Sequence, residues 1–172
     1  YNSMVSPTTI RFSEVSSSEA VERRCADIVK AEHAIFRRAE RSQRLSKDDV
    51  EKKASECMSN ATRQITDFVF NISSGKCRGF RDLVESGAKG SRVNFAMVLG
   101  SLGKMLHSKD TKGVFPPVEN TDGTRRSFTH TSGRDIFADA YVKSGYSLGM
   151  SISEYCMHSK AGRRGLISSL SL

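Results

Sequence analysis

Tryptophan is absent from this chain, proline occurs three times in 172 residues, and aromatic residues make up only 8%. With 37% hydrophobic residues, core-forming side chains are scarce for one domain of this length, which suits a chain that packs against other surfaces as well as on itself. The four cysteines, Cys25, Cys57, Cys77 and Cys156, include no C-x-x-C pair, which argues against a zinc ribbon or a dithiol redox site. Cys25 and Cys57 fall on apolar helical faces and read as small buried hydrophobes. No run of 18 apolar residues occurs, so no segment has the length of a membrane-spanning helix, and no signal-peptide pattern opens the chain. No Asp-x-Asp-x-Asp pattern is present, and with it goes the carboxylate cluster that two-metal phosphoryl transfer needs. The G-x-x-x-x-G-K-S/T spacing is missing too, which excludes a P-loop hydrolase.

Acidic residues are the scarcer charge: 19 Asp/Glu against 27 Lys/Arg, a formal net charge of +8. Such a balance favours anionic partners such as nucleic acid or nucleotides, although many solvated helical proteins share it. Residues 1–85 hold 15 Lys/Arg and 13 Asp/Glu, whereas residues 86–172 hold 12 and 6. The excess therefore lies in the half that carries two glycine-rich motifs.

The apolar pattern is mainly helical. Residues 1–15 read as a loop or short strand. Ser16 with Glu19 has the spacing of a capping box, and Val21, Cys25, Ile28, Ile35 and Ala39 recur at helical intervals over about 17–42. Ser46 with Asp49 starts a second helix, whose stripe is Val50, Ala54, Cys57, Ala61, Ile65, Phe68 and Ile72. Only a few residues around Gln43–Leu45 separate the two, so an antiparallel hairpin is expected. Ser73-Ser74-Gly75 ends it. A short helix over Phe80–Glu85, a tight loop over Ser86–Ser91 and a buried helix through Val93–Leu102 follow. Residues 107–133 are rich in Gly, Pro, Thr, Asp and Asn and predict a long loop with at most short strands. From Asp135 a helical pattern resumes through Phe137, Ala138 and Tyr141, interrupted by Gly145 and Gly149. Ser151 or Ser153 caps a helix over Glu154–Ser159, and a last helix follows Ala161-Gly162. Three regions result: a helical hairpin over 1–85, a loop, buried helix and long loop over 86–132, and a final helical region over 133–172. The chain begins at Tyr1 and stops in the apolar run Leu170-Ser171-Leu172, and both ends read as cut.

Two motifs carry candidate chemistry. In Ser86-Gly87-Ala88-Lys89-Gly90-Ser91, a lysine between glycines could hold a phosphate as a point charge; as bare chemistry, a turn with an exposed lysine explains it more simply. In Lys160-Ala161-Gly162-Arg163-Arg164-Gly165, a basic cluster could contact a phosphate backbone, with a solvated helix end as the equal alternative. His158 reads as a hydrogen-bonded structural histidine, since no further metal ligands lie at fixed spacing. His33, His107 and His130 are scattered and support no triad. Nothing in the sequence brings Glu154 and Asp139 together as an acid–base pair, and Asp48-Asp49 is explained by helix capping.

In this order and spacing, the two motifs resemble the largest subunit of multisubunit DNA-directed RNA polymerases of eukaryotic and archaeal type. Val84–Asn94 is similar to that family's SGAKGS segment and the Asn that follows it. Ser144–His158 is similar to its NSYLxGLTPxEFFFH, and Ala161–Ile167 to its GGREGLID. The resemblance covers roughly residues 76–172; residues 1–75 match only in kind, as the hairpin expected of the funnel. It implies a mainly α fold: the funnel hairpin, short helices, a long loop and the start of a long bridge helix. It further implies that Lys89 contacts the triphosphate of an incoming nucleotide and that His158 and Arg163 brace the bridge helix. Gly87, Gly90, Ser91, Asn94, Gly162, Arg164 and Gly165 would complete the scaffold around the active centre. No catalytic residue falls in the segment. Mg2+ would be bound outside it, with room for Zn2+ elsewhere in the subunit.

The partners implied are the rest of that subunit, the second-largest subunit, DNA template, RNA, nucleoside triphosphates and a transcript-cleavage factor at the funnel, with no membrane. The location implied is the nucleus, or the cytoplasm for a viral or archaeal chain. Arg164 stands where the family usually has Glu, Ser168 where it has Asp, Lys104-Met105 where it has Gln-Gln, and Ile152 where it has Pro. The Ser91-x-Val93-Asn94 form leans towards polymerase I, too little to fix the class. The competing expectation is a non-catalytic basic helical module that binds RNA or an acidic protein.

Overall fold

The computed structural model describes residue 10 and residues 12–42, 47–72, 77–105, 118–119, 125–126 and 140–170. Five α-helices are described: α1 Glu19–Ser42, α2 Lys47–Ile72, α3 Arg78–Glu85, α4 Arg92–Leu99 and α5 Ile152–Leu170. Four two-residue strands accompany them: β1 Gly103–Lys104, β2 Val118–Glu119, β3 Arg125–Arg126 and β4 Tyr141–Val142. The mainly α class expected from the sequence is what is found.

The helix α1 is capped by Ser18 and not by Ser16. The Val21 amide donates to Ser18 Oγ at 3.4 Å, and the Glu22 amide donates to the Ser18 carbonyl at 3.0 Å. Ser16, Ser17 and Ser18 are chemically equivalent caps; the register that turns Val21 and Cys25 inward selects the third. The buried stripe is Val21, Cys25, Ile28, Val29, Glu32 and Phe36. It departs from the expected one at its C-terminal end, where Ile35 is 48% exposed and Phe36 is wholly buried. Successive residues point about 100° apart on a helix, so turning Phe36 fully inward leaves Ile35 at the solvent edge of the seam.

On α2 the residues Ala54, Cys57, Met58, Ala61, Ile65, Val69 and Phe70 are buried. Helices of 24 and 26 residues joined by four residues can pack along their lengths only if antiparallel. The small residues Ala54, Cys57 and Ala61 sit at the seam. Glu32 also lies there, and the Gln64 side-chain amide donates to its carboxylate at 2.6 Å. A buried charge costs several kcal/mol unless hydrogen-bonded, so this cross-helix bond is what makes Glu32 tolerable in the stripe.

The helix α4 lies on the C-terminal half of α2. Phe95 packs against Phe70, with ring centroids 5.6 Å apart, and against Phe80 at 4.8 Å. The Arg81 and Arg92 guanidinium groups cover the Phe70 ring at 4.5 and 4.3 Å, which keeps the cluster dry under a charged roof. The buried helix expected through Val93–Leu102 is found: Phe95, Ala96, Leu99 and Leu102 are buried against the face that α2 supplies, while Val93 is 42% exposed. The turn after α4 presses onto α2 through Gly100 and Gly103. A Cβ at Gly100 would lie 2.9 Å from Val69 Cγ2, and one at Gly103 would lie 2.8 Å from Thr62 Oγ1.

The strand β1 pairs antiparallel with β4, Gly103 opposite Val142 and Lys104 opposite Tyr141. Tyr141 is thus in a strand, where the apolar spacing had suggested a helix; residues 106–117 and 131–139 lie outside the described residues. The expected short strands in the long loop are present as the β2–β3 hairpin, with Val118 opposite Arg126. Ser101 fixes the crossing, its hydroxyl donating to the Val142 carbonyl at 2.7 Å and accepting from the Gly103 amide at 3.1 Å. Burial pushes the Tyr141 hydroxyl pKa up, opposed by hydrogen bonds with Thr62 and Ser101.

Candidate functional site

The Lys89 loop is closed at both ends by its own backbone. α3 ends at Ser86, whose amide donates to the Asp82 carbonyl at 2.9 Å, and the Gly87 amide returns to Val84 at 3.2 Å. Gly87 has φ +71° and Gly90 has φ +81°, the left-handed region in which a side chain is strained. A Cβ at Gly87 would meet nothing within 4 Å. These glycines therefore set the path of the chain and do not make room for a close neighbour.

Ser91 then caps α4. It accepts from the Asn94 amide at 3.3 Å and donates to the Asn94 side-chain oxygen at 2.9 Å. The Ser-x-x-Asn spacing is a capping pair, which gives Ser91 and Asn94 a local structural task. Lys89 is exposed, and among the described residues its side chain makes no ion pair. It stands in the loop between α3 and α4 with its side chain in solvent.

The second motif lies on α5, which is one continuous helix from Ile152 to Leu170 and not two segments broken at Gly162. Gly162 is exposed with nothing within 4 Å of a built Cβ. His158 Nε2 lies 3.0 Å from the Tyr146 hydroxyl, and the rings meet edge to face at 5.7 Å. The expectation of a hydrogen-bonded structural histidine fits this pairing. Arg163 lies with Lys160, Tyr155, Cys156 and Ser159 along a shallow cavity of about 300 Å³. Arg164 and Gly165 belong to the helix, but the side chains of Arg164 and Ser168 lie outside what the structure describes. The Ser91–Asn94 cap and the Tyr146–His158 pair are side-chain contacts that the structure forms at predicted site residues.

Several apolar side chains of α5 are exposed, Ile152 at 86%, Tyr155 at 60% and Leu166 at 68%, alongside the exposed Lys160 and Arg163. Among its described residues only Met157 is fully buried.

Three features lie outside the two motifs. Gly145 sits directly on the backbone of the α4 C-terminus, where a Cβ would lie 2.9 Å from the Gly100 carbonyl oxygen and 3.0 Å from that of Val98. The amides of Tyr146 and Ser147 donate there to Met97 and Val98. Glu154, dismissed as an acid–base candidate, is the most heavily bonded carboxylate among the described residues. Its oxygens accept from the amides of Lys143, Ser144 and Ser151 at 3.0–3.2 Å and from the hydroxyls of Ser144 and Ser151 at 3.0 Å. Burial pushes its pKa up, but these hydrogen bonds outweigh burial and hold it below the usual carboxylate value. The Ser151-x-x-Glu154 spacing was a readable capping box; the reach to Lys143 and Ser144 was not. Lys104 is half-buried beside a cavity of about 440 Å³ between α2 and α4, together with Thr62, Arg63, Thr66, Val93 and Met97. It donates to the Ser55 hydroxyl, and burial lowers its pKa. Among the described residues no cluster of His, Cys, Asp or Glu could hold a metal ion, and no helix is long and apolar enough to cross a membrane.

Over 91 residues the chain is 35% identical to DNA-directed RNA polymerase I subunit RPA190 of Saccharomyces cerevisiae. The similarity covers 53% of this chain and 5% of that protein's length. No protein-family model matches the chain.

Proposed function

We propose that this chain is a segment of the largest subunit of a nuclear DNA-directed RNA polymerase. In this reading the α1–α2 hairpin is the funnel, the Lys89 loop faces the nucleotide path, and α5 begins the bridge helix. The observation that carries it is the 91-residue similarity to a polymerase I subunit. The exposed apolar side chains of α5 support it, since a helix with Ile152, Tyr155 and Leu166 in solvent gains stability from a surface it can pack against.

The mechanism follows from placement. The segment supplies no catalytic group and is inactive alone. Lys89 offers a point charge to a triphosphate, on a loop whose path is set by two left-handed glycines and the Ser91 cap. That interaction acts through binding and orientation of the nucleotide. Mg2+ would be held by carboxylates outside the segment and would supply the charge stabilisation of phosphoryl transfer. The remaining partners, namely the second-largest subunit, DNA, RNA and a cleavage factor at the funnel, belong to the same reading.

The test is immunoprecipitation from native extract with an antibody raised against residues 18–42. The reading expects a band far heavier than 19.0 kDa and a precipitate that incorporates labelled nucleoside triphosphates on a DNA template. Lys89→Ala in that enzyme should raise the nucleotide KM by about 10- to 100-fold with a smaller change in kcat, because one charge-assisted phosphate contact is worth about 1.5–3 kcal/mol. A free 19.0 kDa protein without nucleotidyltransferase activity would refute the reading and favour the basic module.

A further inference from the structure

From the contacts of Glu154 we infer that this carboxylate is a latch that fixes the direction in which α5 leaves the body, so that the 143–151 loop and α5 move as one unit. This goes beyond the polymerase reading and stands without it. Few buried contacts fall on the described residues of α5. Met157 is its one fully buried described residue, Ala161 is partly buried against the core, and the Tyr146–His158 contact is largely in solvent. Glu154, in contrast, joins three points of the chain. Its backbone is in the first turn of α5, Ser151 is the residue before that helix, and Lys143 and Ser144 directly follow β4.

The loop is tied to the body independently of the latch. Tyr146 and Ser147 donate to the Met97 and Val98 carbonyls at 3.0 and 2.9 Å, the Leu102 amide donates to the Ser144 carbonyl at 3.1 Å, and β4 pairs with β1. Residues 143–147 are thus part of the rigid body, and the Glu154 carboxylate carries that rigidity across to α5. An ionised carboxylate accepts up to four hydrogen bonds in its plane. Lys143, Ser144 and Ser151 place five donors within reach of these sites, enough to fill them, and so restrict rotation of the helix start. His158, Gly162 and Arg163 are presented wherever this latch points them. Glu154 is therefore a positioning residue.

The test uses the full chain, with Cys156→Ser and spin labels at Ser59→Cys on α2 and Ser159→Cys on α5, both exposed positions. Pulsed dipolar spectroscopy reads the distance distribution, and amide exchange reads local opening. Glu154→Ala should broaden the distribution and speed exchange at Lys143, Ser144 and Ser151 by about 10- to 100-fold, the factor for a lost charge-assisted hydrogen bond. Exchange at Phe36 and Ile65 in the hairpin core should not change. Glu154→Gln keeps one acceptor oxygen and should give an intermediate distribution, with the hairpin equally unchanged. An unaltered distribution in Glu154→Ala would overturn the inference. So would exchange that rises equally in the hairpin, since Glu154 would then be a general stability group.

Discussion

Gly145→Ala should destabilise the protein although it adds a single methyl group at a position where backbone dihedrals permit it. The added Cβ would lie 2.9 Å from the Gly100 oxygen, 3.0 Å from the Val98 oxygen and 3.1 Å from the Gly100 carbonyl carbon, where ordinary contact begins at 3.4 Å. All three atoms are backbone, so no side chain can rotate away. The loop must lift by about half an ångström, and overpacking of this kind costs about 1–3 kcal/mol. Lifting also strains the amide bonds from Tyr146 and Ser147 to Met97 and Val98, at about 1 kcal/mol for each one lost. A total of about 2–4 kcal/mol should lower Tm by roughly 5–10 °C in a chain of this length. Gly162→Ala is the matched control: it lies inside α5 with nothing within 4 Å, so alanine should add up to about 1 kcal/mol through helix propensity. Thermal unfolding followed by circular dichroism compares the two. A Gly145→Ala protein as stable as the parent would show that the α4 C-terminus and the 143–149 loop are not in backbone contact, and the account of how the loop is seated would fail.

Two further outcomes follow from burial. Burial lowers the Lys104 pKa, so the folded state disfavours its proton; the chain should gain stability as pH rises through the folded Lys104 pKa towards the usual lysine value, and Lys104→Met should remove that gain while raising Tm at neutral pH. A Tm–pH curve of Lys104→Met that parallels the parent in the alkaline range would contradict this. Of the four cysteines, Cys25, Cys57 and Cys77 are buried and Cys156 is exposed, and burial followed by the Glu22 charge raises the Cys25 pKa to about 11. A thiol reagent at mildly alkaline pH should therefore titrate one cysteine rapidly and three only on unfolding, and Cys156→Ser should abolish the fast phase; a second fast thiol would refute the burial of the hairpin seam.

The hairpin was legible because its signal is local and periodic. Ala54, Cys57, Ala61 and Ile65 recur at helical spacing, and a short connection leaves one arrangement. The Lys89 loop was legible for a similar reason, since Gly87 and Gly90 mark left-handed backbone and Ser91 marks a helix start. Phe36 replaced Ile35 in the core because neighbouring apolar residues compete for one face, and the tie was broken by partners on α2. Glu32 could not be read as a core position, as its partner Gln64 is 32 residues away. Tyr141 looked helical because Ala140-Tyr141-Val142 carries no alternation, and only pairing with Gly103-Lys104 made it a strand.

The sequence by itself determined the mainly helical class, the hairpin, the capped Lys89 loop and the basic excess of the second half, because each depends on residues within a few positions of one another. Tertiary structure alone decided which face of each helix is buried, that Gly145 must be glycine for space, and that Glu154 spans from the start of α5 to Lys143 and Ser144. These depend on atoms brought together from 10 to more than 40 residues apart, by packing that no local pattern records.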